Sequence, residues 1–266
     1  MIAEAKDFLD ESEALHRLVS PLNEDELHAP TAFKAWSIER VIRHLHMWNW
    51  GANLAMVDEP AFLAWISKVM AGLQSGDLGE IEANWADGLT GPALVEAWIG
   101  FAREMTPRFA EADPKLRVKW AGPDMSVRSS ITARLMETWA HGQEVYDELG
   151  LVRKNEDRIR SIAHLGFIAY GWTFKVNGRP APAPQPFLQL EAPSGAIWEF
   201  GEDNAQERIE GKAEEFCQVV TQVRNIADTS LRTTGPNATD WMAIAQCFAG
   251  PKETPPEPGV RATKRR

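Results

Sequence analysis

The sequence predicts a two-domain α+β protein, a helical bundle over residues 1–176 followed by a small α/β domain over residues 177–250. Three observations carry that expectation. Apolar residues recur at helical spacing from Ile2 to about residue 175, the proline-alternating stretch NGRPAPAPQP begins at Asn177, and two strand-like runs follow it around Ser194 and Gly195. Alternating prolines cannot continue a helix and favour an extended connection, so Asn177 is expected to open the boundary between domains.

In the first domain, Phe8, Leu15, Leu18, Val19 and Leu22 fall mostly three and four residues apart, which predicts an amphipathic helix over Ile2 to Leu22, with Pro21 near its end. Ser37 is a candidate cap for a second helix, in which Val41, Ile42, Leu45, Trp48 and Leu54 keep the same period. Pro60 starts a further helix through Met70, the acidic, glycine-containing run from Gly76 to Glu80 interrupts it, and Thr90-Gly91-Pro92 introduces another from about Ala93 to Thr106. A long helix from Ser129 to Leu149, closed by Gly150, completes the bundle, and residues 156–175 add one more helical segment.

Past Asn177, FLQLEAP and AIWEFG flank the Ser194-Gly195 turn and read as a hairpin. Lys212 to Val223 reads as a helix, Thr229 to Thr234 as a strand, and Thr239 as the cap of a last helix, Asp240 to Phe248. The tail over residues 251–266, rich in proline, without aromatics and basic at its end, is expected to be disordered.

Composition narrows the function. Twenty-eight Lys and Arg against 38 Asp and Glu give a formal net charge of -10, which argues against a binder of phosphate backbones, so no nucleic acid partner is expected. No apolar run is long enough to span a membrane and MIAEAKDFLDE lacks the pattern of an export signal, so the expectation is a cytoplasmic protein without a membrane partner. The two cysteines, Cys217 and Cys247, are too few for a disulfide framework and lack metal-ligand spacing; any metal must use nitrogen and oxygen donors. Eleven Trp are assigned to packing, including Trp172, Trp198 and Trp241 in the small domain, while Trp65 and Trp85, if exposed, leave open a monomer or a homodimer.

Within RLMETWAHGQEVYDELG, Glu137 and His141 lie four apart and aim from one helix face, which Arg134 and Glu144 extend by a turn on either side. By spacing this is either a solvated i,i+4 pair or part of a metal site. In VIRHLHMWNW, His44 and His46 are separated by about 200° of helical rotation, so at most one faces the bundle interior, and Val41, Leu45 and Trp48 bracket His44. Two histidines and a carboxylate with an open fourth position suit a catalytic Zn²⁺, and equally Ni²⁺, Mn²⁺ or Fe²⁺. His164, inside the apolar SIAHLGFIAYGW, is expected to be structural, and His16 and His28 to lie at the surface.

The run WSIERVIRH (Trp36 to His44), followed far downstream by RLMETWAHGQE (Arg134 to Glu144), resembles the metal-site signature of the DinB-like four-helix bundles. It is more specifically similar to the mycothiol-dependent maleylpyruvate isomerase family, in which a Trp opens the second helix, a His follows eight residues later, and R-x-x-E-x-x-x-H-x-x-[DE] marks the last bundle helix. Glu144 stands where Asp is commoner. The resemblance implies that His44, Glu137 and His141 are metal ligands, with water or a thiolate at the open position. It implies a mechanism in which a low-molecular-weight thiol, mycothiol or glutathione, binds the metal as thiolate and adds to the double bond of a small electrophile. Rotation and elimination then give the trans product. Arg134 would orient Glu137 or bind a substrate carboxylate, though a surface ion pair with Glu137 is the plainer reading. Glu144 would support a ligand histidine, its plainer reading being a solvated position.

WAHGQEV, the IAHLG segment around His164, and EEFCQVVTQVR with IAQCFAGP resemble a branch in which the bundle is joined to a small sterol-carrier-like domain. A likeness of the C-terminal region to a distant wyosine-forming tRNA-modifying enzyme is set aside, because the chain is acidic and carries no CxxxCxxC cluster. The expectation is therefore a metal- and thiol-dependent transferase or isomerase acting on a small electrophile. A metal-stabilised protein that binds a ligand or partner, and a metal-dependent hydrolase, use the same residues and remain the alternatives.

Overall fold

The computed structural model describes residues 1–263 and resolves two compact units, the first spanning Met1–Glu148 and the second beginning at Leu149. Both the helical first part and the α/β second part follow the sequence expectation.

In the first unit, α1 (Ala3–Val19), α3 (Ile38–Val57), α6 (Gly91–Glu111) and α7 (Val127–Glu148) form the four-helix bundle, α1 and α3 each packing against both α6 and α7. The apolar stripe of each helix supplies the core: Phe8 and Leu15 from α1, Val41 and Leu45 from α3, Trp98 and Ile99 from α6, Leu135 and Trp139 from α7 are all buried. Ser37 caps α3 as expected, its Oγ accepting from the Arg40 N–H at 3.1 Å. A four-residue α2 (Glu24–Leu27) is closed by an Asn23–Glu26 capping box, and a short hairpin of β1 (Arg117–Val118) and β2 (Met125–Ser126) precedes α7.

Outside the bundle, α4 (Glu59–Ser75) and α5 (Leu78–Ala86) pack on α3. The acidic run from Gly76 to Glu80 does interrupt the chain, but only between Gly76 and Asp77, after which α5 starts with Asp77 accepting from the Gly79 N–H at 2.6 Å. Sequence periodicity misses α5 because it has nine residues and a glycine in its first turn. Likewise α6 runs past Pro107 to Glu111, whereas Thr106 is the expected end; the burial of Phe109 in the bundle offsets one missing amide donor.

The second unit carries α8 (Arg160–Ile168), α9 (Tyr170–Val176), β3 (Phe187–Glu191), β4 (Ile197–Phe200), β5 (Arg208–Lys212), α10 (Ala213–Val220), β6 (Arg232–Thr234) and α11 (Pro236–Ile244). The sheet order is β4-β3-β5-β6, antiparallel except for the parallel β3–β5 pair. Leu188 stands between Ile209 and Phe200, and Leu190 opposite Trp198; Phe216, Val219 and Val220 of α10 are buried beside this sheet.

Three boundary expectations are corrected. The break falls at Leu149 and not at Asn177, because α8 and α9 are built into the second unit: Gly166 lies under Val220 and Phe216, and the Thr173 hydroxyl donates to the Gln246 carbonyl at 3.1 Å. The proline-rich stretch is a strap within that unit, its Pro182 carbonyl accepting from the Tyr170 hydroxyl at 2.8 Å. The last helix starts at Pro236 and not at Asp240, with the buried Glu207 carboxylate in the capping role expected of Thr239; it accepts from the Asn237 and Ala238 N–H groups at 3.1 and 2.9 Å. The tail is ordered as far as it is described, since Gln246 and Gln222 bond its Pro251 and Glu253 carbonyls and the Asn225 amide bonds the Pro256 carbonyl. Residues 264–266 of the expected disordered tail lie outside the described residues.

No helix among the described residues is long and apolar enough to cross a membrane. Trp65 and Trp85 are half-buried in a cluster of tryptophans with Trp48 and Trp50, and Trp198 and Trp241 are buried in the core of the second unit.

Truncation after Gly250 removes the Glu253, Pro251 and Pro256 carbonyls that accept from Gln222, Gln246 and Asn225, each part-buried hydrogen bond being worth about 1 kcal/mol. The shortened chain is expected to unfold its second unit at clearly lower urea concentration than the full chain; coincident denaturation curves would show the tail to be idle.

Candidate metal centre

His44 closes the second turn of α3 beyond the Ser37 cap, and α7 presents Arg134, Glu137, His141 and Glu144 on one face. Packing of α3 against α7 brings the two sets together. The Glu137 Oε2 lies 3.5 Å from His44 Nε2 and 3.3 Å from His141 Nε2, and one donor atom from each of the three residues falls within 4.8 Å of the others. Their side chains are 11, 19 and 12% exposed for His44, Glu137 and His141, so the cluster is sunk in the bundle yet reached by solvent.

Aromatic rings hold the imidazoles. Trp36, buried just ahead of α3, stacks on His141 with centroids 5.7 Å apart and planes 10° off parallel, and approaches His44 at 5.2 Å. Phe33 meets the His141 ring edge-on at 5.1 Å. The loop that delivers both aromatics turns through Lys34 and Ala35 at φ of 51° and 55°, and the Thr31 N–H to Trp36 carbonyl bond at 2.8 Å closes it. Left-handed backbone at two consecutive non-glycine residues costs about 1–2 kcal/mol each and persists because the surrounding packing fixes the loop.

Charge is arranged around Glu137. Burial works against its ionisation, but hydrogen bonds from His141 and His44 and the Arg134 charge hold its carboxyl well below the usual range. Burial also depresses His44, yet the Glu82 charge and bonds to Glu137 and Glu82 outweigh it and lift the imidazole to about 9. His141 is lowered, chiefly by burial and further by the His44 charge, against the Glu137 bond. The site is thus a carboxylate shared by two imidazole rings, a donor set that matches a divalent cation in atom type.

Arg134 is 4% exposed, against the surface ion pair that its spacing allows. Its Nη2 is 3.9 Å from Glu137 Oε1, its guanidinium lies 5.4 Å from the Trp120 ring centroid, and its Nε and Nη1 have no hydrogen-bond partner among the described residues. Glu144 is 2% exposed, which corrects the expectation of a solvated position.

His46 departs from the expected geometry. Both α3 histidines are buried, on different sides of the helix, and His46 packs edge-on against Trp85 and Phe101, where burial lowers it to about 4. Helix α5, outside the bundle, joins α6 in giving α3 a second interior face, which its sequence alone does not announce. His164 is exposed beside Phe200, His16 is half-buried with its Nε2 2.8 Å from Glu96, and His28 is exposed. Cys217 is fully buried and its thiol is pushed well up by burial, consistent with a structural role.

One residue escapes any reading by spacing. Glu82 on α5 is fully buried and its Oε1 lies 2.6 Å from His44 Nδ1. It stands 38 residues from its partner on a helix that periodicity does not reveal, and the only trace in the sequence is a carboxylate between Ile81 and Ala83.

Residues 8–146 match the family described as the mycothiol maleylpyruvate isomerase N-terminal domain. The chain is 37% identical over 246 residues to an uncharacterized protein of Mycobacterium tuberculosis strain H37Rv, covering 92% of this chain and 95% of that one, and matches its counterpart in strain CDC 1551 / Oshkosh equally. Among solved structures, the mycothiol-dependent maleylpyruvate isomerase superposes with a TM-score of 0.53 at 14% identity, covering 82% of this chain and 87% of the other. A histidine-to-alanine mutant of that enzyme gives a TM-score of 0.52 at 13% identity with the same coverage. At such identities the likeness is one of fold.

The lowered His46 has a consequence for the metal-free protein. Its folded value of about 4 lies below the ordinary 6.5, so its neutral burial stabilises the fold above pH 6.5 and that contribution is lost as pH falls toward 4. The wild type should lose roughly 3 kcal/mol more than His46→Leu across this window in urea titrations; parallel curves would contradict the assignment.

Proposed function

The chain belongs to the mycothiol maleylpyruvate isomerase N-terminal domain family, and from that membership we propose a metal-dependent enzyme that uses a low-molecular-weight thiol to isomerise, or transfer to, a small electrophile. The single observation that carries the proposal is the convergence of His44, Glu137 and His141 donor atoms within 4.8 Å. Two imidazoles and one carboxylate fit Zn²⁺ best, with Ni²⁺, Mn²⁺ and Fe²⁺ served by the same donors. A divalent cation held by these residues would lower the pKa of a thiol bound beside it and polarise a neighbouring carbonyl.

The protein's own groups would do the rest. Glu137, ionised at any physiological pH, supplies the charge that holds a cation. Trp36 and Phe33, packed on His141, fix that ring and keep water from its flank. Arg134 offers two unpartnered guanidinium donors beside Glu137, which supports a substrate bearing a carboxylate as in maleylpyruvate; such a group would satisfy donors otherwise left buried at a cost of about 1–3 kcal/mol. Glu144, one turn beyond His141 and buried, would steady the α7 end of the site. Mycothiol or glutathione would serve as the thiol.

Metal analysis of the purified protein beside His44→Ala and Glu137→Ala should find most of the ion lost in each variant, with the helical circular dichroism retained and thiol-dependent turnover abolished. Full retention of metal in both variants would end this reading; turnover that needs no added thiol would replace the thiol by water as nucleophile. Arg134→Met should keep its metal and raise KM by about 10–100-fold for electrophiles carrying a carboxylate, leaving neutral ones unaffected. Equal effects on both classes would assign Arg134 to structure.

A further inference from the structure

We propose that Glu82 is a positioning residue for the metal centre: its carboxylate accepts the hydrogen bond of the His44 Nδ1–H and so commits Nε2 of that ring to the ion. This deepens the metal-centre reading above and depends on it. The two nitrogens of a neutral imidazole have opposite roles, and the one bonded to a carboxylate is the donor, leaving the other with a lone pair. In His44, Nδ1 lies 2.6 Å from Glu82 Oε1 while Nε2 points to Glu137 Oε2 at 3.5 Å. The ring is therefore held between two carboxylates, tightly at Nδ1 and loosely at Nε2, so Nε2 is the nitrogen that would give up its proton to an ion.

The surroundings are built to keep Glu82 in place. Its side chain is fully buried, where an ionised carboxylate is costly unless neighbouring charge compensates it. Arg40 supplies part of that compensation, its Nε standing 3.9 Å from Glu82 Oε2. The same guanidinium lies 4.3 Å from the Trp36 ring centroid and donates to Asp77, the residue that caps α5, at 3.2 Å. Gly79 leaves the room for it, since a Cβ there would approach the Arg40 Cζ to 2.7 Å. Asp77, Arg40, Glu82 and His44 thus tie a short outer helix to a bundle imidazole. An apolar side chain at position 82 would fill the same space without this arrangement, so the carboxylate is explained by what it does to His44.

The test uses zinc as the probe on the full chain. Glu82→Gln keeps volume and an acceptor but removes the charge; competition with a chromophoric chelator should show zinc binding weakened about 10–100-fold, with the helical circular dichroism of the metal-free protein retained. Zinc affinity equal to wild type, whatever the melting temperature does, overturns the role of Glu82 and leaves the metal centre standing. Wild-type protein that binds no zinc overturns both readings. Independently of any variant, ¹⁵N spectra of the zinc-loaded wild type should show the His44 proton on Nδ1, and a proton on Nε2 would overturn the proposal even if Glu82→Gln fails to fold.

Discussion

The site depends on the packing of α3 against α7. His44 and Glu137 are 93 residues apart, and their meeting at 3.5 Å requires that two helices of about twenty residues settle in one rotation and one register. A rotation of either helix by one residue, about 100°, would carry its ligand-competent side chain out of reach. The buried stripe of Val41, Leu45, Leu135 and Trp139 sets that rotation, so the apolar core is what aims the polar groups.

Placing so much charge in a bundle interior needs compensation, and it is distributed over both helices and α5. Glu137 is surrounded by His44, His141 and Arg134, and Glu82 by His44 and Arg40. Aromatic faces of Trp36 and Trp120 lie beside the two guanidinium groups and leave their charge intact while excluding water. The cluster is thereby a network of mutually dependent groups, in which removing one leaves a buried partner uncompensated. The tight loop through Lys34 and Ala35 belongs to the same arrangement, since it delivers Phe33 and Trp36 to His141.

The likeness to the mycothiol-dependent maleylpyruvate isomerase is one of architecture at 14% identity, while the mycobacterial relative keeps 37% identity over nearly its whole length. Packing of an apolar stripe tolerates replacement of one hydrophobic residue by another, so a fold of this kind outlasts most of its sequence. The second unit is the part where short-range reasoning is weakest. Its parallel β3–β5 pair joins strands separated by a hairpin and a loop, and its proline-rich strap and tail are ordered by side-chain amides of Gln222, Gln246 and Asn225.

What the sequence determined by itself is whatever depends on neighbours within a few turns: the long helices, the Ser37 cap, the hairpin around Gly195, and the common face of Arg134, Glu137, His141 and Glu144. The link from that face to His44 came from a resemblance of paired motifs, because spacing cannot relate residues on separate helices. Tertiary structure alone decided the rest. It placed Glu82 on His44, buried Arg134 and Glu144, gave His46 an interior of its own, moved the domain boundary to Leu149 and fastened the tail. Each of these turns on a partner distant in the chain, and burial by such a partner is a property of the packed molecule that local periodicity does not encode.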